Sequence, residues 1–335
     1  MISDIYFRFL LDTISKDATI KDKPKSFQEL DIAPEEVPLK YFNYLIEFNY
    51  AQNIESELGL TFGKNVVALN LCDFFRMINT ADTVGDCLDS TVSTYHILGL
   101  SPYPIIKKGT HKSTLSIAYP YSDMSSFARR FTCEVFFSYG LDLFQKSISN
   151  NVKPTKIYFD FPEPSYAHKY VEMFDCEIIY DAPLAMIEFE TQFLTAPLVE
   201  QNKPLHNIYM AKTFEQWRDN KREQSFRYRA TTQLMSQHPY NFSSVKLAEN
   251  MNISTRGLQK RLAAEDCTFS NICKFARREL CKICLFQKGM SLEDTAGALG
   301  FQTQISFRKF FKETFNTTPK SYFLEKIQSD IEDTA

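Results

Sequence analysis

The sequence predicts a two-domain chain: an α+β N-terminal domain followed by an all-α C-terminal domain with two helix-turn-helix units joined by a long helix. Three observations carry that prediction. Strand-like and helical stretches alternate up to about residue 200, and only helical stretches follow. Charge changes sign at nearly the same place: residues 1–220 hold 20 Lys/Arg against 29 Asp/Glu, residues 221–323 hold 17 against 8, and the 335-residue chain nets -3. One helical pattern also occurs twice, about 48 residues apart, counted from Ala248 to Ala296.

In chain order, "MISDIYFRFLLDTISKDATIKDK" comes first. Asp4 and Arg8 interrupt its apolar residues and no small-residue cleavage site follows, so a domain-opening helix is expected. No apolar run reaches the roughly 18 to 20 residues of a membrane span, which predicts a cytoplasmic protein without a membrane partner. Helical periodicity continues in "YFNYLIEFNYAQNIESELGLTFG", "TADTVGDCLDSTVSTYHILGL" and "SDMSSFARRFTCEVFFSYGLDLFQKSIS". "TKIYFDF", "CEIIYDA" and "AMIEFE" read as short strands, with a helix opened by Pro164 between the first two. Aromatic residues make up 14% of the chain, enough to pack a core or to line an apolar pocket. Lys107, Lys108, Arg129 and Arg130 could meet an anionic ligand or simply be solvated. Proline and polar residues then replace the strand pattern in "NKPLHNIYMAKTFEQWRDNKRE". The expected division is a regulatory domain over 1–205, a short, partly structured linker over 206–222, a helical domain over 223–323 and an acidic tail over 324–335.

In the basic region, Ser243 is placed to cap a short helix through Asn250 that buries Val245 and Ala248. "MNI" turns the chain, and Ser254 caps a second helix with Leu258 and Leu262, four apart, as its buried seam. Thr255, Arg256, Gln259 and Lys260 then face outward. In the second copy Ser291 caps "SLEDTAGALG", buried through Leu292, Thr295, Ala296 and Leu299, and Gly300 with Phe301 makes the turn. Phe307 and Phe311 take the seam, leaving Gln304, Arg308 and Lys309 outward. Between the copies, Asn271 to Gln287 as a helix would be about 24 Å long. A connector of that length suits reading heads about one turn of DNA, roughly 34 Å, apart. Arg and Lys can donate to guanine O6 and N7, and Gln can pair with adenine, so the outward side chains suit base-edge reading. Ser254 at its helix start, Lys246, Lys274, Lys288 and Lys312 suit phosphates.

Catalytic and metal chemistry find little support. Cys281 and Cys284 form "CKIC" inside a helical pattern, with no second pair and no histidine nearer than His238, so buried reduced thiols are expected, without a metal or cofactor. The five histidines are scattered, and no Walker loop, GxGxxG or GxSxG is present.

Residues Val245 to Phe323 resemble the DNA-binding domain of the AraC/XylS family of bacterial transcription regulators. The likeness rests on "LAENMNISTRGLQKRL", "FARRELCKICL" and "SLEDTAGALGFQTQISFRKFFKETFNTTPKSYF". It implies that Arg256, Gln259 and Lys260 belong to a first reading helix, and Gln304, Arg308 and Lys309 to a second. Ile305, Lys309, Asn316, Phe323 and Cys267 depart from the usual family residues, and Lys for Arg at 309 loses the planar fork that favours guanine. The N-terminal half is similar to the arabinose-binding-type domain of one branch of these regulators, through "LGLTFG", "TADTVGDCLDSTVSTYHIL" and the stretch from "KPTKIYFDF" to "FLTAPL". The resemblance implies a sequence-specific activator controlled by a small-molecule effector, with double-stranded DNA and RNA polymerase as partners and a homodimer compatible with repeated sites. Two alternatives stay open: an adaptor that holds a protein partner through its acidic domain, and a DNA-directed cysteine enzyme using Cys72, Cys87, Cys133 or Cys176.

Overall fold

The computed structural model describes residues 57–66, 73–95, 102–119, 125–147, 153–220, 225–237, 240, 242–319 and 321–322. They divide into two compact units: most residues up to 220 form the first, and residues from 225 onward, with 118–119 and 182–184, belong to the second. The expected opening helix, the start of the second helical stretch, Cys72, His238, Phe323 and the acidic tail lie outside the described residues.

In the first unit the elements are α1 (Leu58–Val66), α2 (Asp73–Asn79), α3 (Val84–Thr94), β1 (Tyr103–Lys107), β2 (Lys112–Ala118), α4 (Ser126–Ser147), β3 (Lys156–Tyr158), α5 (His168–Phe174), β4 (Glu177–Ile179), β5 (Met186–Glu190) and α6 (Lys203–Asn220). The strands form one sheet in the order β1-β2-β5-β3-β4. β5 lies antiparallel to β2, with Lys112 opposite Glu190, and antiparallel to β3 on its other edge. β3 and β4 are parallel, and α5 supplies the crossover such a pair needs. The mixed α/β architecture is the one the patterning predicts, and the strands expected around residues 157, 178 and 187 are present. β1 and β2 were not anticipated: β2 buries four residues in a row, Leu115 to Ala118, so it lacks the alternation that marks a half-buried strand.

α4 is the central helix, burying Phe131, Cys133, Glu134, Phe136 and Phe137. α1 packs on it unusually closely. A Cβ at Gly59 would stand 2.3 Å from Glu134 Oε2, and one at Gly63 would stand 2.0 Å from Ser138 Oγ, so both positions exclude a side chain. Phe159 lies in a ring cluster, 4.7 Å from Tyr170 and 4.8 Å from Phe161 between centroids, which puts much of the aromatic content in the core. The segment expected as a linker, 206–222, is largely covered by α6, which packs on α2. Its His206 is buried, with Nδ1 hydrogen-bonded to the Met77 carbonyl at 2.8 Å.

From residue 225 onward the elements among the described residues are all helical: α7 (Phe226–Ser236), α8 (Ser244–Asn250), α9 (Thr255–Ala263), α10 (Phe269–Lys282), a π turn at Ile283–Gln287, α11 (Leu292–Ala298) and α12 (Gln304–Phe315). α7 packs on α10. The connector starts at Phe269, two residues before the position expected, because Thr268 and Asn271 form a reciprocal capping box. No helix among the described residues is long and apolar enough to cross a membrane.

Candidate nucleic-acid interface

Each helix-turn-helix is set by its caps and by two buried residues four apart. Ser243 Oγ accepts from the Lys246 amide at 3.4 Å and Ser254 Oγ from the Gly257 amide at 3.1 Å, satisfying amides that have no partner inside the helix. In the second copy Ser291 and Thr303 do the same for Asp294 and Ser306, at 3.0 and 3.2 Å. Leu258, Leu262, Phe307 and Phe311 are all fully buried, as the spacing predicts. Two burial expectations fail: Leu292 is only half-buried, and Val245 is 54% exposed, with Leu247 and Ala248 forming the buried face of α8. Leu247 stands four residues ahead of Met251 and next to Ala248, so the helical stripe passes through it and leaves Val245 on the outside.

The two turns share a backbone solution. Asn252 (φ 55°) and Gly300 (φ 77°) occupy the left-handed region, four residues after Ala248 and Ala296. The next amides, of Ile253 and Phe301, then donate to the carbonyls of those alanines at 3.0 and 2.9 Å. Gly300 fits that conformation without strain, and Asn is among the other residues that tolerate it. Beyond the turn the copies differ by one residue, so Leu258 corresponds to Phe307 across 49 positions. In that register Thr255 matches Gln304, Arg256 matches Ile305, Gln259 matches Arg308 and Lys260 matches Lys309.

Thr255, Arg256, Gln259 and Lys260 on α9, and Gln304, Arg308 and Lys309 on α12, are all exposed. So are Ser254, Lys246, Lys274 and Lys312. Lys288 stands apart, half-buried, with Nζ donating to Tyr240 Oη at 3.1 Å and lying over that ring. Ile305, at the Arg256 position, is 81% exposed, the most exposed large hydrophobic among the described residues.

Two supports were not foreseen from the sequence. Glu265, just after α9, caps α7 from 40 residues away: its carboxylate accepts from Ser225 Oγ at 2.6 Å, the Phe226 amide at 2.5 Å and the Arg227 amide at 3.0 Å. Arg277 on α10 donates to the Leu299 carbonyl at 3.1 Å and sits 4.3 Å over the Phe242 ring and 5.0 Å over the Phe301 ring. It thereby ties the connector to the second turn. Neither contact carries a local signal, since the partners lie far apart in sequence.

Other sequence candidates fall elsewhere. Cys281 and Cys284 are buried on the connector, and burial pushes the Cys273 thiol up to about 12. In the first unit burial also pushes Cys87 up to about 12 and Cys176 up to about 11, away from the thiolate that a nucleophile requires. Arg129 pairs with Asp160 at 3.1 Å and Lys108 with Asp89 at 2.6 Å, while the Arg130 guanidinium lies over the Tyr166 ring. Those cations are engaged within the chain.

Known family profiles match both halves of the chain. The profile described as the arabinose-binding domain of AraC transcription regulator, N-term, matches residues 30–198, and that of a helix-turn-helix domain matches residues 247–324. The chain is similar to the ornithine utilization regulator of Pseudomonas aeruginosa, 22% identical over 287 residues that span 84% of this chain and 82% of that protein. Among solved structures it is similar to the transcriptional regulator CdpR from Pseudomonas aeruginosa, at 17% identity and a TM-score of 0.46, covering 94% of this chain and 96% of that one.

Proposed function

The chain belongs to the AraC family of transcription regulators, and from that premise we propose that it reads specific DNA sequences with α9 and α12 under the control of a small-molecule effector held by the first unit. The observation that most supports this reading is the repeat itself. Two helices, each behind a left-handed turn and a Ser or Thr cap, carry polar and cationic side chains outward from a buried apolar seam.

In this reading Thr255, Arg256, Gln259, Lys260, Gln304, Arg308 and Lys309 reach base edges in successive major grooves. Ser254, Lys246, Lys274, Lys288 and Lys312 hold phosphates and set the register. Effector binding in the first unit changes DNA affinity through a coupling free energy between the two sites. Activation through contact with RNA polymerase, and pairing of two copies on repeated sites, extend the proposal on the strength of family membership alone.

Selection of bound sequences from random duplex DNA, with the full-length protein at fixed salt, tests the core of it. A motif with two blocks about one helical turn, roughly 34 Å, apart is expected. A single block would mean that the second unit grips without reading, and no enrichment would overturn sequence-specific binding. Transcription in vitro from a promoter bearing the motif, with and without the protein, tests activation.

A further inference from the structure

Between α3, α4 and the sheet, the first unit holds a partly open cavity of about 70 Å³. Val84, Leu88, Phe137, Leu141, Ile187 and Phe189 are among its walls, and no charged side chain lines it among the described residues. Its Thr91 hydroxyl is engaged, donating to the Cys87 carbonyl at 2.8 Å. Apolar walls offer water few hydrogen bonds, and each gap forfeits packing that a filled core would have.

Gly140 shows that the sequence leaves this space open. It lines the cavity at the middle of the α4 stripe made by Phe136, Phe137, Leu141 and Phe144, well inside a 22-residue helix. A glycine there is less favourable than alanine, and a Cβ added to it would meet nothing within 4 Å. The contrast with Gly59 and Gly63 is direct, because those two are required by the close approach of α1 to α4. Among the described residues no close neighbour requires Gly140, and a side chain there would take up space that the cavity leaves open.

We propose that this cavity is a ligand site that takes the straight alkyl chain of a small molecule, and, resting on the regulatory reading above, that this chain belongs to the effector. The walls fit hydrocarbon and offer no charge to pair with an ionic group. The size selects a chain over a ring: 70 Å³ is about half of the roughly 150 Å³ of an engineered apolar cavity that holds benzene. Such a chain could come from an alcohol or from a carboxylic acid whose head group stays at the mouth.

The test titrates the full-length protein with straight-chain alcohols from butanol to decanol and with the matching carboxylates, reading heat of binding and unfolding temperature. Saturable binding is expected, tightening about fourfold per added methylene until the cavity is full, the fold-change that 0.8 kcal/mol per methylene gives. Preference between the two series then identifies the source of the chain. Gly140→Leu should abolish binding by filling the space. Gly140→Ala, which keeps the helix and should raise the unfolding temperature, should weaken the longest chains several-fold. Absence of saturable binding to the wild type, or unchanged binding in both variants, overturns the proposal. DNA selection is scored separately on the same preparation. A recovered motif without chain binding removes only the cavity proposal, and chain binding without a motif removes the DNA reading and with it the assignment of the chain to an effector, leaving the ligand site in place.

Discussion

At the scale of single residues, the chemistry of Ile305 and of Glu134 leads to opposite kinds of test. Ile305 holds the place of Arg256 in the second reading helix, and an exposed isoleucine cannot hydrogen-bond a base edge, yet its methyls can pack on the methyl group of thymine. Replacing it with alanine is expected to weaken a thymine preference in the second block of the motif and leave the first block alone. Gln259→Ala should do the converse, relaxing one position of the first block by roughly 1 to 3 kcal/mol. Quantitative binding to single-base variants of the selected site checks both, and a uniform loss over all sequences would refute either role. Glu134 is buried in the first unit, where Tyr166 Oη donates to it at 2.7 Å and Tyr170 Oη also donates. Burial dominates over those hydrogen bonds and over the nearby Arg130 charge, raising the carboxyl from 4.5 to about 7. The folded state therefore keeps this proton through a window in which the unfolded chain has released it. Its contribution to stability is full below about pH 4.5 and is lost as pH rises through about 7, by up to roughly 3 kcal/mol. Glu134→Gln carries no proton to lose, so its stability relative to wild type should rise across that window in denaturant melts. A difference that stays constant from pH 4 to 8 would show that Glu134 does not titrate in this way.

Among the elements, α9 and α12 were the most legible in sequence as helices and their supports the least. Leu258 with Leu262 and Phe307 with Phe311 stand four apart with an exposed lysine midway, a pattern that a helix turns into one buried face and a strand does not. Ser254 and Ser291 act within three residues of themselves, so a cap is visible in a short window. Val245 was misplaced because two apolar stripes were open to so short a helix, and burial of Leu247 decides between them. β2 was missed because burial on both faces erases its alternation. The cap that Glu265 places on α7 spans 40 residues and leaves no local trace, although it secures the helix that packs on the connector. Glu265→Ala would strip three hydrogen bonds from the start of α7, one to a hydroxyl and two to amides that no other helical residue can satisfy. A loss of about 1 to 3 kcal/mol is expected, with Glu265→Gln recovering part of it. Thermal unfolding of the three proteins measures this, and equal midpoints would show that water replaces the carboxylate at no cost.

Over the whole molecule, the charge distribution makes a claim that neither residues nor elements make alone. The chain nets -3, so a protein that met DNA through its average charge would be repelled. The segment 221–323 nets roughly +9 by its own residues, and screening over about 8 Å at physiological salt makes that local charge the one a phosphate meets. Affinity should therefore fall steeply with salt, as counterions leave the DNA, with a slope of about -0.9 for each phosphate neutralised. Lys246, Lys274 and Lys312 are exposed and are assigned to phosphates, so alanine at any one should reduce that slope by about 1 and weaken all sequences alike. Lys288 is the internal control. Its ammonium already donates to Tyr240 and sits over that ring, so it gives up an existing contact to reach a phosphate, and Lys288→Ala should change the slope less. Fluorescence titrations of the selected site from 50 to 300 mM salt separate the cases. A flat dependence for the wild type would favour the adaptor reading, in which the acidic half holds a protein partner and the helical half no longer grips DNA. A slope equally reduced in all four variants would show that Lys288 is released from Tyr240 on binding.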